Sequence, residues 1–204
     1  LHLCSHNLEK IATSTASDTL LAEVCYAAKE EGASITRYHG KHQETNPDTN
    51  SQICTVLARS FADIGDIVRG KDLFLGNDEE KKKRKQLQQN LKKIFGNIYE
   101  ELIMNGSNGK LKTRYNGDKK NYFFQLREDW WYANRHTVWK AITCKADNSN
   151  RYFRATCDSD DGKSQSQATK QCRCDNKSGA KPGKGSGDVS IVPTYFDYVP
   201  QFLR

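Results

Sequence analysis

Seven cysteines, Cys4, Cys25, Cys54, Cys144, Cys157, Cys172 and Cys174, lie in a 204-residue chain of which only 36% is hydrophobic. A core that lean needs reinforcement, and disulfides supply it by restricting the unfolded ensemble. Six of the seven can close three bridges, which predicts an extracellular, disulfide-stapled fold with one cysteine left over. The odd cysteine, and a chain that opens at Leu1 without Met, suggest a piece of a longer polypeptide. The competing readings are reduced thiols in a cytosolic protein, several of them simply buried, or a zinc site. Zinc suits the spacing badly. The only tight pair, Cys172 and Cys174, has one residue between its members instead of the usual two to four, and His39 and His42 stand far from any second pair.

Charge is divided unevenly along the chain. Residues 1–80 hold 7 Lys and Arg against 13 Asp and Glu, whereas residues 81–204 hold 25 against 12. That asymmetry predicts a basic face with an anionic partner. No window approaches about 18 uninterrupted apolar residues, so no membrane insertion is expected.

Four segments carry helical periodicity, and the fold class is mainly α: a disulfide-stapled helical bundle with long irregular loops. Asp18–Glu31 aligns Leu20, Leu21, Val24, Cys25 and Ala28, with Gly32 as its expected stop. Ser51–Arg69 places Ile53, Val56, Leu57, Phe61, Ile64 and Val68 on one side, with Ser51 as N-cap and Gly70 beyond the end. Asp78–Met104 opens with Asn77 and Glu80 in the spacing of a capping box and buries Leu87, Leu91, Ile94, Ile98 and Leu102. The fourth helix, Gln125–Cys144, carries Trp130, Trp131 and Trp139, which are expected to be mostly core. Between them, 40–50 contains the turn signal Asn46-Pro47, 105–120 reads as an exposed glycine-rich basic loop, and 158–188 has little to bury. Residues 189–204 turn apolar again, and Pro200 is placed to open a further helix.

No enzyme, cofactor or metal is expected. Gly179–Gly187 has the glycines of a phosphate loop without a preceding strand or a Lys-Ser/Thr ending. Asp158, Asp160 and Asp161 only echo a calcium loop, and a solvated acidic turn explains them. Glu128 and Asp129 are neighbours on a helix and point apart; the five histidines show no nucleophile partner. The sharpest charge feature is Lys81, Lys82, Lys83, Arg84 and Lys85, followed by Lys92 and Lys93. Closely spaced cations would hold a sulfated or phosphorylated polymer, although such a run is also the ordinary solvated side of an amphipathic helix. Lys110, Lys112, Arg114, Lys119 and Lys120 would extend the patch only if their loop folds back. Asn105–Ser107 and Asn176–Ser178 fit the N-glycosylation pattern.

Several stretches resemble one family. Leu1–Cys4, Asn7–Glu9, Leu21–Cys25 and Ala27–Lys29 resemble the opening of a Duffy-binding-like domain; Ala58–Gly70, Gln125–Trp131, Ala133–Arg135 and Val138–Cys144 are more specific. The closing Val192–Leu203 looks like the alpha class of these domains, found in the Plasmodium falciparum erythrocyte membrane protein family of variant surface antigens. The resemblance implies an adhesion module on the outer face of infected red cells. It implies a loop-rich first part over 1–50 with one helix, and a helical-bundle second part over 51–204 with flexible loops 105–120 and 145–188. The third subdomain would be absent. Partners implied are erythrocyte or endothelial receptors (sulfated glycan, blood-group sugar or complement receptor, the rosetting phenotype) and host antibodies. No binding residue carries over by motif; the basic residues Lys81–Lys85, Lys92, Lys93, Lys110, Lys112 and Arg114 are the candidates on charge alone. The alternative is a structural or antigenic scaffold half with no receptor binding of its own. Nucleic-acid binding lacks any recognised motif and conflicts with the disulfides.

Overall fold

The structure is a computed structural model that describes residues 17–45, 52–73, 76–105, 109–148, 150–158, 165–168, 170–174 and 192–204. Cys4, the proposed Ser51 cap, the Asn46-Pro47 turn, Asp160, Asp161, Gly179–Gly187, Ser107 and Asn176–Ser178 lie outside these residues. Among the described residues the chain forms five α-helices: α1 (Ser17–Thr45), α2 (Ile53–Arg69), α3 (Asp78–Asn105), α4 (Gly109–Arg114) and α5 (Phe124–Ile142). An antiparallel pair, β1 (Ala155–Asp158) and β2 (Gln165–Gln167), follows, and short 3-10 turns occupy Asp118–Asn121, Phe196–Tyr198 and Gln201–Leu203.

The helices assemble around α5. Its Trp130 lies against the start of α1, where the indole N–H donates to Ser17 Oγ at 3.0 Å, and its end meets Gly32, so the two helices run in the same direction. Gly32 therefore does not stop α1, as its spacing predicts; the helix continues through it to Thr45. A Cβ at this position would sit 1.8 Å from the carbonyl oxygen of Ile142, so the missing side chain serves helix crossing. α2 runs antiparallel to α5. Phe61 packs between Trp131 and Trp139 at centroid distances of 5.2 and 5.1 Å, and the Trp131 indole fills the space over Gly65. All three tryptophans are buried. Gly70 closes α2 with φ 76° as expected, whereas the N-cap is Gln52, without a side-chain cap bond. At α3, Asn77 N–H donates to Glu80 and Glu80 N–H donates to the Asn77 side chain, both at 2.9 Å, completing the capping box.

Two disulfides join described cysteines: Cys54–Cys172 across 118 residues and Cys157–Cys174 across 17. On chain-entropy arithmetic the longer loop contributes about 5 kcal/mol and the shorter about 3. Trp139 N–H donates to the Cys172 carbonyl at 3.1 Å, so the first bridge fastens the later chain onto the tryptophan layer. Neither Cys25 nor Cys144 is bonded to a described cysteine, and Cys4 lies outside the described residues. Cys25 is half-buried on α1, and burial pushes its thiol up to about 11, which leaves it protonated at neutral pH. Within the stretches 105–120 and 145–188, the described residues include α4, a 3-10 turn and the β1–β2 pair.

Residues 192–204 close the fold through one carboxylate. Asp197 is fully buried on a 3-10 turn; it accepts from Trp131 Nε1 at 2.9 Å and from Arg135 at 2.9 and 2.6 Å. Its backbone carbonyl accepts from Arg69 of α2, and Arg135 also donates to the Thr194 carbonyl at 2.8 Å. Arg204 then pairs with Asp63 at 3.0 Å and with Asp66. Pro200 stands directly before the 3-10 turn Gln201–Leu203.

Gly32→Ala sets the gain in helix propensity, about 1 kcal/mol, against a clash with backbone that cannot rotate away. Overpacking of this kind costs roughly 1–3 kcal/mol and should win. A lower urea midpoint is expected by circular dichroism.

Candidate functional site

The basic run falls within α3, whose periodicity sorts it. Arg84 shares its side with Leu87 and Leu91, both buried, and is drawn inward to Asp72 at 2.8 Å. Lys81, Lys85 and Lys92 share a second side, with Lys82 and Lys93 beside them, and all five are exposed, as is Lys83. Lys81 lies 3.4 Å from the exposed Asp78; among the described residues no ion pair reaches Lys82, Lys83, Lys85 or Lys93. Seven residues of helix put Lys85 and Lys92 about 10 Å apart along the axis. The sequence candidates thus separate into an exposed row and one arginine already engaged.

α3 is held in place by a buried cation. Arg127 of α5 donates to the carbonyls of Val68 and Ile67 at 2.6 and 3.1 Å and to the Gln88 side chain at 2.8 Å. Gln88 in turn donates to Ile67 O at 3.0 Å. One guanidinium therefore satisfies the C-terminal carbonyls of α2 and ties them to α3. Burial pulls Arg127 down to about 10, which leaves it charged at neutral pH.

The later basic residues reach α3 through a folded turn. Lys110 and Lys112 lie exposed on α4, and Arg114 forms a two-pronged pair with Asp129 of α5, both contacts at 2.6 Å. Tyr115 O–H donates to the same carboxylate at 2.9 Å. These contacts hold the Asp129 carboxyl below the usual carboxylate range, the Arg114 hydrogen bonds contributing most. Asp118, buried, accepts from the backbone N–H groups of Gln125 and Leu126 at 3.1 and 3.0 Å and so caps α5 in place of Phe123. Between cap and helix, Tyr122 and Phe123 both take left-handed backbone, φ 59° and 60°, at a cost of roughly 1–2 kcal/mol each. This bend buries the Phe123 ring against Gly96 and Tyr99 of α3 and leaves Tyr122 outside, where the Lys92 ammonium sits 4.0 Å from its ring centroid. Lys119 reaches Glu100 at 3.9 Å. The turn does fold back, and it extends the lysine row with an aromatic edge.

Elsewhere Glu128 is occupied by Arg69 and Lys71, while Asp129 faces Arg114, so the two acids point apart. No group of three His, Cys, Asp or Glu suited to a metal ion occurs among the described residues. No helix there is long and apolar enough to cross a membrane.

The Duffy binding domain family model matches residues 1–204. The chain belongs to that family. Among solved structures, the chain is similar to the ICAM-1-binding PfEMP1 IT4var13 DBLbeta domain, at 38% identity and a TM-score of 0.56, over 71% of this chain and 33% of that one. It is equally similar to the same domain bound to ICAM-1: 38% identity, TM-score 0.56, 71% of this chain and 34% of that one. No curated protein matches. The chain thus spans about a third of the length of the solved domains it resembles. The fold is mainly helical, disulfide-bonded and Duffy-binding-like.

Sequence reasoning missed Tyr122 and Phe124. The signal was present in the aromatic triplet Tyr122–Phe124, one residue beyond Lys119 and Lys120, but its placement depends on the Asp118 cap four residues before it.

The Asp129 contact should make stability sensitive to acid. Because the folded carboxyl titrates below the unfolded one, its stabilisation is complete above the unfolded value and is lost as pH falls through the folded value. Urea midpoints between about pH 4 and pH 2 should fall more steeply for the wild type than for Asp129→Asn.

Proposed function

We propose that this chain is part of a non-enzymatic host-receptor adhesion module, displayed on the outer face of the infected erythrocyte, that docks sulfated glycan on the exposed lysines of α3. The observation that carries the reading is the row of Lys82, Lys85 and Lys93, solvent-facing and without acidic partners among the described residues, beside Lys81 and Lys92. Cations held on a rigid helix at turn spacing meet a polyanion without rearrangement, and each releases condensed counterions. Each contact is weak, so affinity comes from their number and from clustering at a cell surface. Family membership supports an adhesive role, and a similar domain is an ICAM-1-binding one. The alpha-class assignment, a rosetting phenotype, and blood-group sugar or complement receptor as partners belong to this same proposal, as do glycosylation and antibody recognition of the variable segments.

The second reading is a structural or antigenic scaffold half. It is favoured by the chain covering only about a third of the solved domains it resembles. The two separate on heparin affinity: the scaffold reading expects no retention by a folded chain that antibodies still recognise.

Reversing Lys82, Lys85 and Lys93 to Glu should weaken heparin binding by roughly a hundredfold at low salt, at about 1 kcal/mol for each cation. Retention by the wild type should fall steeply with added salt, and Lys29→Glu on α1 should change little. Unaltered heparin affinity in the triple reversal would exclude this face.

A further inference from the structure

Tyr122 is placed against its own backbone preference. A left-handed residue is most readily glycine, or asparagine among the others, and a bulky side chain there needs a compensating role. Phe123 has one, since its ring is 3% exposed in the groove beside Gly96. Tyr122 does not, with its ring 54% exposed. Its neighbours are an exposed aromatic, Phe124, 43% exposed with ring centroid 6.4 Å away, and the ammonium of Lys92. Lys119 and Lys120 flank the same turn and are exposed. Two open rings bordered by cations are more than a charge patch needs.

From this juxtaposition we infer that Tyr122 and Phe124 form a stacking ledge for the sugar rings of an acidic saccharide whose charged groups meet Lys92, Lys119 and Lys120. The inference rests on the glycan reading above and sharpens it from any polyanion to carbohydrate. A pyranose ring has an apolar C–H face that packs on an aromatic plane, while its sulfate or carboxylate groups project from the rim toward cations. Lys92 is already held over the Tyr122 ring, so its ammonium is pre-positioned rather than free to sample solvent. A flexible phosphate polymer would use the same lysines but has no face to stack.

The experiment compares two probes on the full 204-residue chain: a heparin-derived oligosaccharide and inorganic polyphosphate of matched charge. Folding of each variant is checked by circular dichroism and disulfide mapping. Tyr122→Ala and Phe124→Ala should each weaken the saccharide roughly tenfold and leave polyphosphate unchanged, while Tyr122→Phe retains saccharide affinity. If both aromatic variants bind the saccharide like the wild type, while the α3 reversals abolish it, the ledge is overturned and the basic face stands. Equal weakening of both probes also overturns the ledge, by reducing it to general electrostatics or folding. If the wild type binds neither probe, the ledge and the glycan reading fall together.

Discussion

A single buried carboxylate organises the centre of this molecule. Asp197, with no exposed surface, gathers the indole N–H of Trp131, the guanidinium of Arg135 and, through its backbone, Arg69. Removing these charges from water is costly, and only near-complete hydrogen bonding offsets it. The contact fixes three elements at once, because Trp131 and Arg135 lie one turn apart on α5, Arg69 ends α2, and Asp197 belongs to the closing segment. Tyr195 and Tyr198 pack over the guanidiniums of Arg135 and Arg69, at 5.2 and 4.9 Å, and limit water access.

The outer parts depend on that centre in sequence. With α2 and α5 locked, Arg127 can cap α2 and hold α3 through Gln88, and Asp118 can cap α5 and fix the aromatic turn against α3. The Cys54–Cys172 bridge adds a covalent tie at the opposite end of α2. What reaches solvent is a rigid helix face on which Lys82, Lys83, Lys85 and Lys93 have no ion pair among the described residues, while Lys92 lies over the Tyr122 ring. Such a surface can change its exposed residues without disturbing the core.

Much of this was readable from residue spacing. α2, α3 and α5 follow their apolar periods, and the Asn77–Glu80 box formed as the spacing implies. The failures have a common cause in tertiary context. Gly32 reads locally as a stop, but the close passage of Ile142 makes it a crossing point. The basic stretch after Asn105 reads as loop, but Arg114–Asp129 and the Asp118 cap order it from a distance. Arg84 sits in a run of five cations and could have been separated from them by its three- and seven-residue spacing to Leu87 and Leu91. Cysteine pairing was beyond reach, because seven thiols permit many connectivities and only the folded chain brings Cys54 to Cys172.

Replacing Asp197 with Asn keeps the shape and removes the charge, leaving Arg135 buried without its counter-ion and turning an amide donor toward other donors. Urea unfolding of Asp197→Asn beside the wild type, with disulfides intact, addresses the organising role directly. Loss of roughly 3–5 kcal/mol is the expected result, the cost of breaking a buried pair by removing one partner. A difference within about 0.5 kcal/mol, the range of an ordinary surface substitution, would contradict it.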